Sequence, residues 1–222
     1  MLRNYLLTAI RSLMKNKGFS LINILGLGIG IASFVLIGMY VYHELSFDKY
    51  HKNGHRIYRI VENLRTENEL LFQSTSSPPM GPILLNQYPE VENYVRFTDA
   101  SYLVRKGDLS IYEDNCLLAD SSVFEIFTFP LLAGDPKTAL TKPHSVVLTR
   151  SMAKKYFDNK DPVGQTLTLD DEEYKVTGVM ADVPQNAHFR FDMLVHLAPG
   201  ALTTRRRSCA RGSGMVFTPT SC

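Results

Sequence analysis

The longest run of apolar positions lies near the N-terminus of the chain. From Phe19 to Tyr42, no Asp, Glu, Lys, Arg or His occurs over 24 consecutive residues. A helix of that length extends about 36 Å, and the hydrocarbon core of a bilayer is about 30 Å thick. A secretory signal has a shorter apolar region and a small-residue cleavage site, neither of which is present. The pattern predicts an uncleaved transmembrane helix over residues 19–42; a buried helix of a soluble protein is the alternative.

A second membrane-associated pattern precedes this run. When residues 2–15 are placed at 100° per residue, most apolar side chains fall in one arc and most polar side chains fall opposite, with Arg3 as the exception. Such a helix lies in the headgroup plane with its cations towards anionic lipid. We therefore expect residues 1–18 to form an interfacial helix on the cytoplasmic side, with Lys17-Gly18 as a bend; a simple extension of the span is the alternative.

The charges that flank the run predict its orientation. Residues 1–18 contain four Lys and Arg and no acid, whereas the ten residues after Tyr42 contain two acids and two Lys. Basic residues stay cytoplasmic, and Tyr40 and Tyr42 suit a membrane interface. The N-terminus is therefore predicted inside, with residues 43 onward periplasmic, in a bacterial (inner) cell membrane.

Residues 43–198 show short strand and helix patterns in alternation, typical of an α+β extracytoplasmic domain. The predicted strands are 56–64, 70–76, 91–98, 103–105, 110–119, 145–148, 165–169, 173–180 and 190–197. Short helices are predicted after the prolines near residue 80, over 121–127 and over 151–157, the last capped by Thr149.

The composition changes near residue 198. Residues 199–222 contain four Arg, no acid, two Cys and no apolar periodicity, whereas residues 1–198 hold 20 Lys and Arg against 22 acids. We expect this segment to be a disordered basic tail or an out-of-frame ending, and we leave it out of the predicted fold. Because no basic face is apparent in the remainder, nucleic acid is not an expected partner.

Motifs for catalysis, metal binding and cofactor binding are incomplete. His43-Glu44 would need a second His at position 47 to form a zinc-protease helix, and that residue is Phe47. His51 and His55 are four residues apart, but spacing supplies no further ligand. The chain contains neither a GxxxxGK[ST] loop nor a GxSxG elbow. We therefore predict no enzymatic activity, no catalytic or metal residues and no cofactor of its own.

The small residues of the apolar run suggest a packing face. Gly26 and Gly30 are one helical turn apart, as are Gly28 and Ala32, and such positions let another membrane helix approach closely. Frequent glycine in membrane helices is the alternative reading. We predict that this face packs against further transmembrane helices, within a span that ends at Phe19 and Tyr42.

Two blocks of residues resemble the MacB/FtsX-type permeases of ABC transporters. The first combines Asn23-x-x-Gly26-Leu27-x-x-Gly30, Glu44-x-Ser46-x-Asp48 and Arg56-Ile57-Tyr58-Arg59. The second combines Ser145-Val146-Val147-Leu148-Thr149, Ala153, Tyr156-Phe157, Asp161-Pro162-Val163-Gly164, Val176-Thr177-Gly178-Val179, Asp182-Val183-Pro184, Asn186 and His188-Phe189. The resemblance runs from Met1 to about Leu197.

The resemblance implies a permease subunit with a MacB-like periplasmic core domain. Such permeases form homodimers or heterodimers, sit on a cytoplasmic ABC ATPase that binds ATP, and act on substrates or on envelope partner proteins. Family members continue into three more spans, so the chain is expected to be a truncated N-terminal part. We expect Glu44 and Asp48 to anchor the helix to the outer domain, and Gly164 and Gly178 to serve turn or bulge geometry.

Two other functions are compatible with the sequence. One is a single-pass envelope receptor or binding protein, complete in itself. The other is an FtsX-like regulator of cell-wall hydrolases, which transmits movement without moving a substrate. Fold analogy does not choose among these functions or among substrates.

Overall fold

The computed structural model describes residues 11, 14–15, 17–65, 70–73, 76–158, 160–184, 186–198 and 214–219. The chain divides into two compact units, Met1–Phe47 and Asp48–Cys222. Most of the interfacial helix predicted over residues 1–18 lies outside the described residues.

The first unit contains one long helix, α1 (Lys17–Glu44). Its 28 residues would extend about 42 Å, and the predicted span 19–42 lies wholly within it. The mean hydropathy of its most apolar window is 2.3, and it alone in the described residues is long and apolar enough to cross a membrane. Every large apolar side chain from Phe19 to Tyr42 is exposed.

The second unit is a mixed α/β domain, as the alternating patterns predicted. Its helices are α2 (Met80–Gln87), α3 (Val123–Ile126) and α4 (Arg150–Phe157), together with a 3-10 turn at Gly54–Arg56. Its strands are β1 (Tyr58–Ile60), β2 (Glu62–Arg65), β3 (Leu70–Gln73), β4 (Val91–Lys106), β5 (Leu109–Ala119), β6 (Leu131–Gly134), β7 (Ser145–Thr149), β8 (Thr166–Leu169), β9 (Glu172–Met180), β10 (Met193–His196) and β11 (Gly214–Pro219).

The main sheet has the order β1-β11-β4-β5-β10-β7-β9-β6, and β8 pairs with both β4 and β9. The pairing therefore closes on itself through β4, β5, β10, β7, β9 and β8. Strands β2 and β3 form a separate hairpin. The β5–β10 and β7–β9 pairs are parallel, and the chain crosses from β7 to β9 through α4 and β8.

Strand β7 shows how the sheet divides the core. All five of its residues are buried, because strands flank it and both of its faces are covered. Val146 and Leu148 point into a core shared with α4, where Met152, Ala153, Tyr156 and Phe157 pack. Val147 points into a second core made of Phe127, Phe129, Leu140, Phe191 and their neighbours. The period-two alternation of a strand thus supplies both layers.

Helix α4 confirms the predicted cap. The Thr149 side chain accepts a hydrogen bond from the N–H of Met152 at 3.3 Å, so one of the unpaired donors at the start of the helix is satisfied.

The glycine predictions are also confirmed. Gly164 has a φ of 87°, which favours glycine over other residues. At Gly178, the β7–β9 pairing shifts register between Val146 and Val147, and a Cβ would lie 2.9 Å from the Leu131 side chain. The same Cβ would lie 3.1 Å from the backbone oxygen of Ala133, so glycine suits the close approach of β6 at that bulge.

Some strand boundaries differ from the prediction. The predicted strands 91–98 and 103–105 are one 16-residue strand, β4, with a register shift between Ala100 and Tyr102 that absorbs the irregular pattern. The predicted strand 56–64 is divided between β1 and β2, which belong to different sheets. Strand β6 was not predicted, because its residues Leu131–Gly134 include no β-branched or aromatic side chain and do not alternate.

The largest difference lies in the segment left out of the predicted fold. Gly214–Pro219 forms β11, which pairs antiparallel with β1 on one side and with β4 on the other. The run Met215-Val216-Phe217-Thr218 is rich in β-forming residues. The first half of β4 supplies the backbone N–H and C=O groups with which this run pairs. Residues 199–213 and 220–222 lie outside the described residues.

Candidate functional site

The candidate site is the segment that follows α1 in the chain, residues 48–57, which we name the junction segment. It belongs to the second unit, and side chains or backbone groups of Asp48, His51, Lys52 and Arg56 bind different parts of the domain.

Asp48 makes the first attachment. Its N–H donates to the carbonyl of Asn186 at 3.1 Å, and its Oδ1 accepts from the N–H of His188 at 2.9 Å. Its φ of 56° is in the left-handed region, which Asp tolerates better than most residues. These bonds fix Asp48 within the second unit, where the two blocks of the family resemblance meet, and the role of Glu44 and Asp48 in anchoring the helix stays a prediction.

The second attachment joins the junction segment to the segment between α3 and β6. The N–H of Thr128 donates to Nδ1 of His51 at 3.2 Å, while the N–H of Lys52 donates to Oγ1 of Thr128 at 2.9 Å. His51 is only 6% exposed, and the centroid of its ring lies 4.9 Å from that of Phe127 and 5.5 Å from that of Phe129. Thr128 thus donates one hydrogen bond to His51 and accepts another from Lys52.

Burial changes the titration of two rings in this attachment. Desolvation lowers the pKa of His51, and the nearby Asp48 carboxylate opposes that shift. Desolvation raises the pKa of Tyr50 to about 12, and Asp48 adds to the rise. Both groups are therefore held in their neutral forms at neutral pH.

The third attachment lies at the C-terminal end of the junction segment. The Arg56 guanidinium pairs with the Glu92 carboxylate at the start of β4, with side chains 27% and 52% exposed. Ile57 packs against the second core. The ion pair is partly solvated, so it orients the segment more than it stabilises it.

These attachments reach three parts of the domain that are far apart in sequence: residues 186–188, residue 128 and residue 92. The junction segment is therefore fixed to several elements of the domain at once.

The predicted membrane-packing residues lie on α1. A Cβ added at Gly26, Gly28 or Gly30 meets nothing within 4 Å, so nothing in the described chain requires glycine there. Phe19 and Tyr42, the predicted span ends, both lie inside the helix and are exposed.

A polar cluster outside the junction segment, which we name the core anchor, consists of Glu113, Lys155 and Tyr156. Oε1 of Glu113 accepts from the Lys155 ammonium and from the Tyr156 hydroxyl, both at 2.6 Å. Burial and this hydrogen bond raise the pKa of Tyr156. The cluster fixes α4 to β5 through two hydrogen bonds to one carboxylate oxygen, so we assign it a structural role.

An open cleft of about 250 Å³ lies beside the start of α4. Its polar side chains are used within the fold: Asp182 accepts from the N–H of Ser151 at 2.9 Å, and Asp192 accepts from the side-chain amide of Asn115 at 3.2 Å. In the described part of the chain, no three His, Cys, Asp or Glu residues are grouped as metal ligands. His51, which the sequence offered as half of a histidine pair, is buried, whereas His55 is exposed.

Residues 20–218 match the MacB-like periplasmic core domain. The chain belongs to that family. It is thereby a MacB/FtsX-type ABC transporter permease chain, as the two blocks of residues predicted, and family members are non-enzymatic membrane components that work with a separate ATPase. The match includes all of β11 except Pro219, which supports the place of this strand in the MacB-like domain.

Solved structures show the same fold. A domain of a protein assigned as a permease from Porphyromonas gingivalis has a TM-score of 0.63 at 23% identity, covering 77% of this chain and 76% of that one. The periplasmic region of MacB from Actinobacillus actinomycetemcomitans has a TM-score of 0.54 at 14% identity, covering 75% of each chain. The extracellular domain of the noncanonic ABC-type transporter YknZ from Gram-positive bacteria has a TM-score of 0.50 at 16% identity, covering 74% of this chain and 84% of that one. No curated protein matches.

Sequence reasoning found Asp48 but missed His51 and Thr128 as an attachment. Nothing in the local pattern marks either residue, because they are 77 positions apart and meet only in the folded domain.

Proposed function

We propose that the chain is the N-terminal part of a permease subunit in which α1 and the junction segment carry movement between the membrane and the MacB-like domain. The energy comes from ATP hydrolysis by a cytoplasmic partner subunit, and the domain movement serves export or envelope mechanotransmission. The observation that carries this proposal is the threefold attachment of the junction segment to the domain.

A flexible linker would not serve this purpose. A polar linker without contacts would absorb the displacement of a helix end by changing its own backbone angles. Here the residue that directly follows the first unit, Asp48, is hydrogen-bonded through both its backbone and its side chain. A displacement at Phe47 therefore meets a fixed residue, and the loop 186–188 receives it directly.

The proposed placement puts α1 across a bacterial inner membrane, with residues 43 onward outside the cytoplasm. The length and hydropathy of α1 and the basic residues before it support this orientation. The family supports an extracytoplasmic domain.

We also propose that Gly26, Gly28, Gly30 and Ala32 form the surface by which α1 packs against further membrane helices of the assembled permease. Small residues allow close backbone approach where lipid offers no hydrophobic driving force.

Partner capture tests the proposed transporter role. An affinity-tagged chain, extracted in mild detergent from its own cells, is expected to retain an ABC ATPase recognised by its phosphate-binding loop sequence in mass spectrometry. Repeated failure to capture such a subunit from a well-solubilised preparation would count against the proposal.

Impermeant maleimide labelling of Lys137→Cys, but not Lys15→Cys, in intact spheroplasts would establish the orientation, with Cys209 and Cys222 replaced by Ser.

A flexible insertion tests the mechanical role. Insertion of Gly-Ser-Gly-Ser between Phe47 and Asp48 slackens the connection without removing any attachment. The captured complex is expected to keep its ATPase but to lose the ATP-dependent change in amide exchange at residues 186–188 that the uninserted complex shows. An unchanged response to ATP would show that movement does not pass through the junction segment.

A further inference from the structure

We propose that acid loosens the junction segment, because protonation of His51 breaks its attachment to Thr128. The inference rests on the proposed function and adds a regulatory input to the same site.

The hydrogen bond defines the required protonation state. Nδ1 of His51 accepts from the backbone N–H of Thr128 at 3.2 Å, and a ring nitrogen can accept only when it carries no proton. The ring is therefore neutral, with its proton on Nε2. Nε2 is buried and has no hydrogen-bond partner in the described part of the chain.

A second proton would be opposed in two ways. It would place an N–H on Nδ1 directly opposite the N–H of Thr128, so two donors would face each other. It would also place a cation in a site that is 6% exposed and lined by the rings of Phe127 and Phe129. The cost of burying this charge exceeds the attraction of the Asp48 carboxylate, so the ring takes up the proton by leaving the site.

The groups that face His51 give the direction of the pH effect. The Asp48 carboxylate on its own segment favours the cation, and Tyr50 beside it is neutral. The packed segment Phe127–Phe129 contributes two phenyl rings and a hydroxyl, none of which titrates. His188 reaches Asp48 through its backbone N–H. Desolvation is the largest influence, and the pKa of His51 lies below the usual 6.5.

The lowered pKa of His51 determines the pH range in which its neutral ring stabilises the attachment. Stability from the neutral ring is fully present above the unfolded value of about 6.5, and it is lost as the pH falls through that value towards the folded pKa. A domain outside the cytoplasm, as proposed, meets the pH of its surroundings in this range.

Amide exchange in the full chain tests the proposal. The chain in detergent micelles is compared at about pH 7.5 and about pH 5, with exchange rates corrected for the intrinsic effect of pH. Protection of the Lys52 and Thr128 amides is expected to fall roughly tenfold at the lower pH. His51→Asn keeps an acceptor near the Nδ1 position and does not titrate, so its protection should be the same at both pH values. His55→Asn, at an exposed histidine, is the matched control and should behave like the unmodified chain.

Two results would overturn the inference: equal protection at both pH values in the unmodified chain, or the same acid loss in His51→Asn. His51→Phe, which lacks the acceptor, should show low protection at both pH values. ATPase capture and the flexible insertion are measured at neutral pH, so a missing acid response does not affect their results. A negative result in those two experiments would identify an error in the proposed function instead.

Discussion

The core anchor and the junction segment both use polar groups to hold elements together, but they differ in what surrounds them. In the core anchor, the Glu113 side chain is 11% exposed and binds two side chains of α4. Strand β5 and helix α4 are therefore joined at the core that they share. In the junction segment, most hydrogen bonds involve backbone N–H groups, and they join a surface segment to loops and to the start of a strand.

This difference predicts two kinds of response to damage. Removal of a group from the core anchor leaves buried polar atoms unpaired in the body of the domain, so the whole domain loses stability. Loss of a junction contact lets one segment open while the sheet stays folded. The proposed transmission of movement requires the junction contacts to hold, so their loss should uncouple the segment without unfolding the domain.

The reactivity of Cys116, next to the core anchor, gives the largest expected effect. Burial, followed by the nearby Glu113 carboxylate, raises the pKa of this thiol from 9.0 to about 12. The thiolate fraction at pH 8 should therefore be roughly a thousandfold below that of an ordinary thiol. In a chain with Cys209→Ser and Cys222→Ser, iodoacetamide should label Cys116 only after unfolding in urea. Rapid labelling of the folded domain would show that this core opens as easily as the junction.

Glu113→Ala should have the next largest effect. The Tyr156 hydroxyl is left buried without its acceptor, whereas Lys155, 40% exposed, can reach water. We expect the domain to lose about 2–3 kcal/mol, measured by urea unfolding. Tyrosine fluorescence can follow the transition because the chain has no Trp. The matched control is Glu173→Ala, at an exposed position of β9, which should change stability little.

Asp48→Ala should act locally. It removes the acceptor for the His188 N–H and places alanine at a φ of 56°, where it is strained. Opening of the segment should become easier by about 1–2 kcal/mol, seen as faster amide exchange at residue 188 with little change in the urea midpoint. Asp48→Asn, which keeps an acceptor and tolerates this φ, should restore most protection. A large loss of global stability in Asp48→Ala would remove the distinction between the two sites.

Arg56→Ala should have the smallest effect. Its ion pair with Glu92 is partly solvated on both sides, and pairs of that kind contribute about 0–1 kcal/mol. We expect a barely measurable change in urea unfolding and slightly faster exchange near residue 56. The effect should shrink further at high salt because the charges are screened. If Arg56→Ala matched Asp48→Ala in exchange, the ion pair would be a principal attachment.

Amino-acid sequence determined the features that depend on neighbouring residues. An uncharged run of 24 residues is enough to predict α1, because length and polarity alone govern whether a helix can cross a bilayer. Thr149 capped α4 as predicted, and Gly164 and Gly178 lie at the expected turn and bulge, because backbone geometry at such positions is a local matter. Motif order along the chain was sufficient to predict the family.

Only the tertiary structure decided what depends on distant partners. β11 is a strand because β4 and β1 offer it backbone hydrogen bonds; its β-forming residues did not lead to its prediction, because they lie in a basic segment without apolar periodicity. His51 became an attachment instead of half of a metal pair because folding brings the backbone N–H of Thr128 to its ring. Contacts between residues far apart in sequence arise only when the packed cores fix where each segment lies, so the junction could be located from sequence only at Asp48.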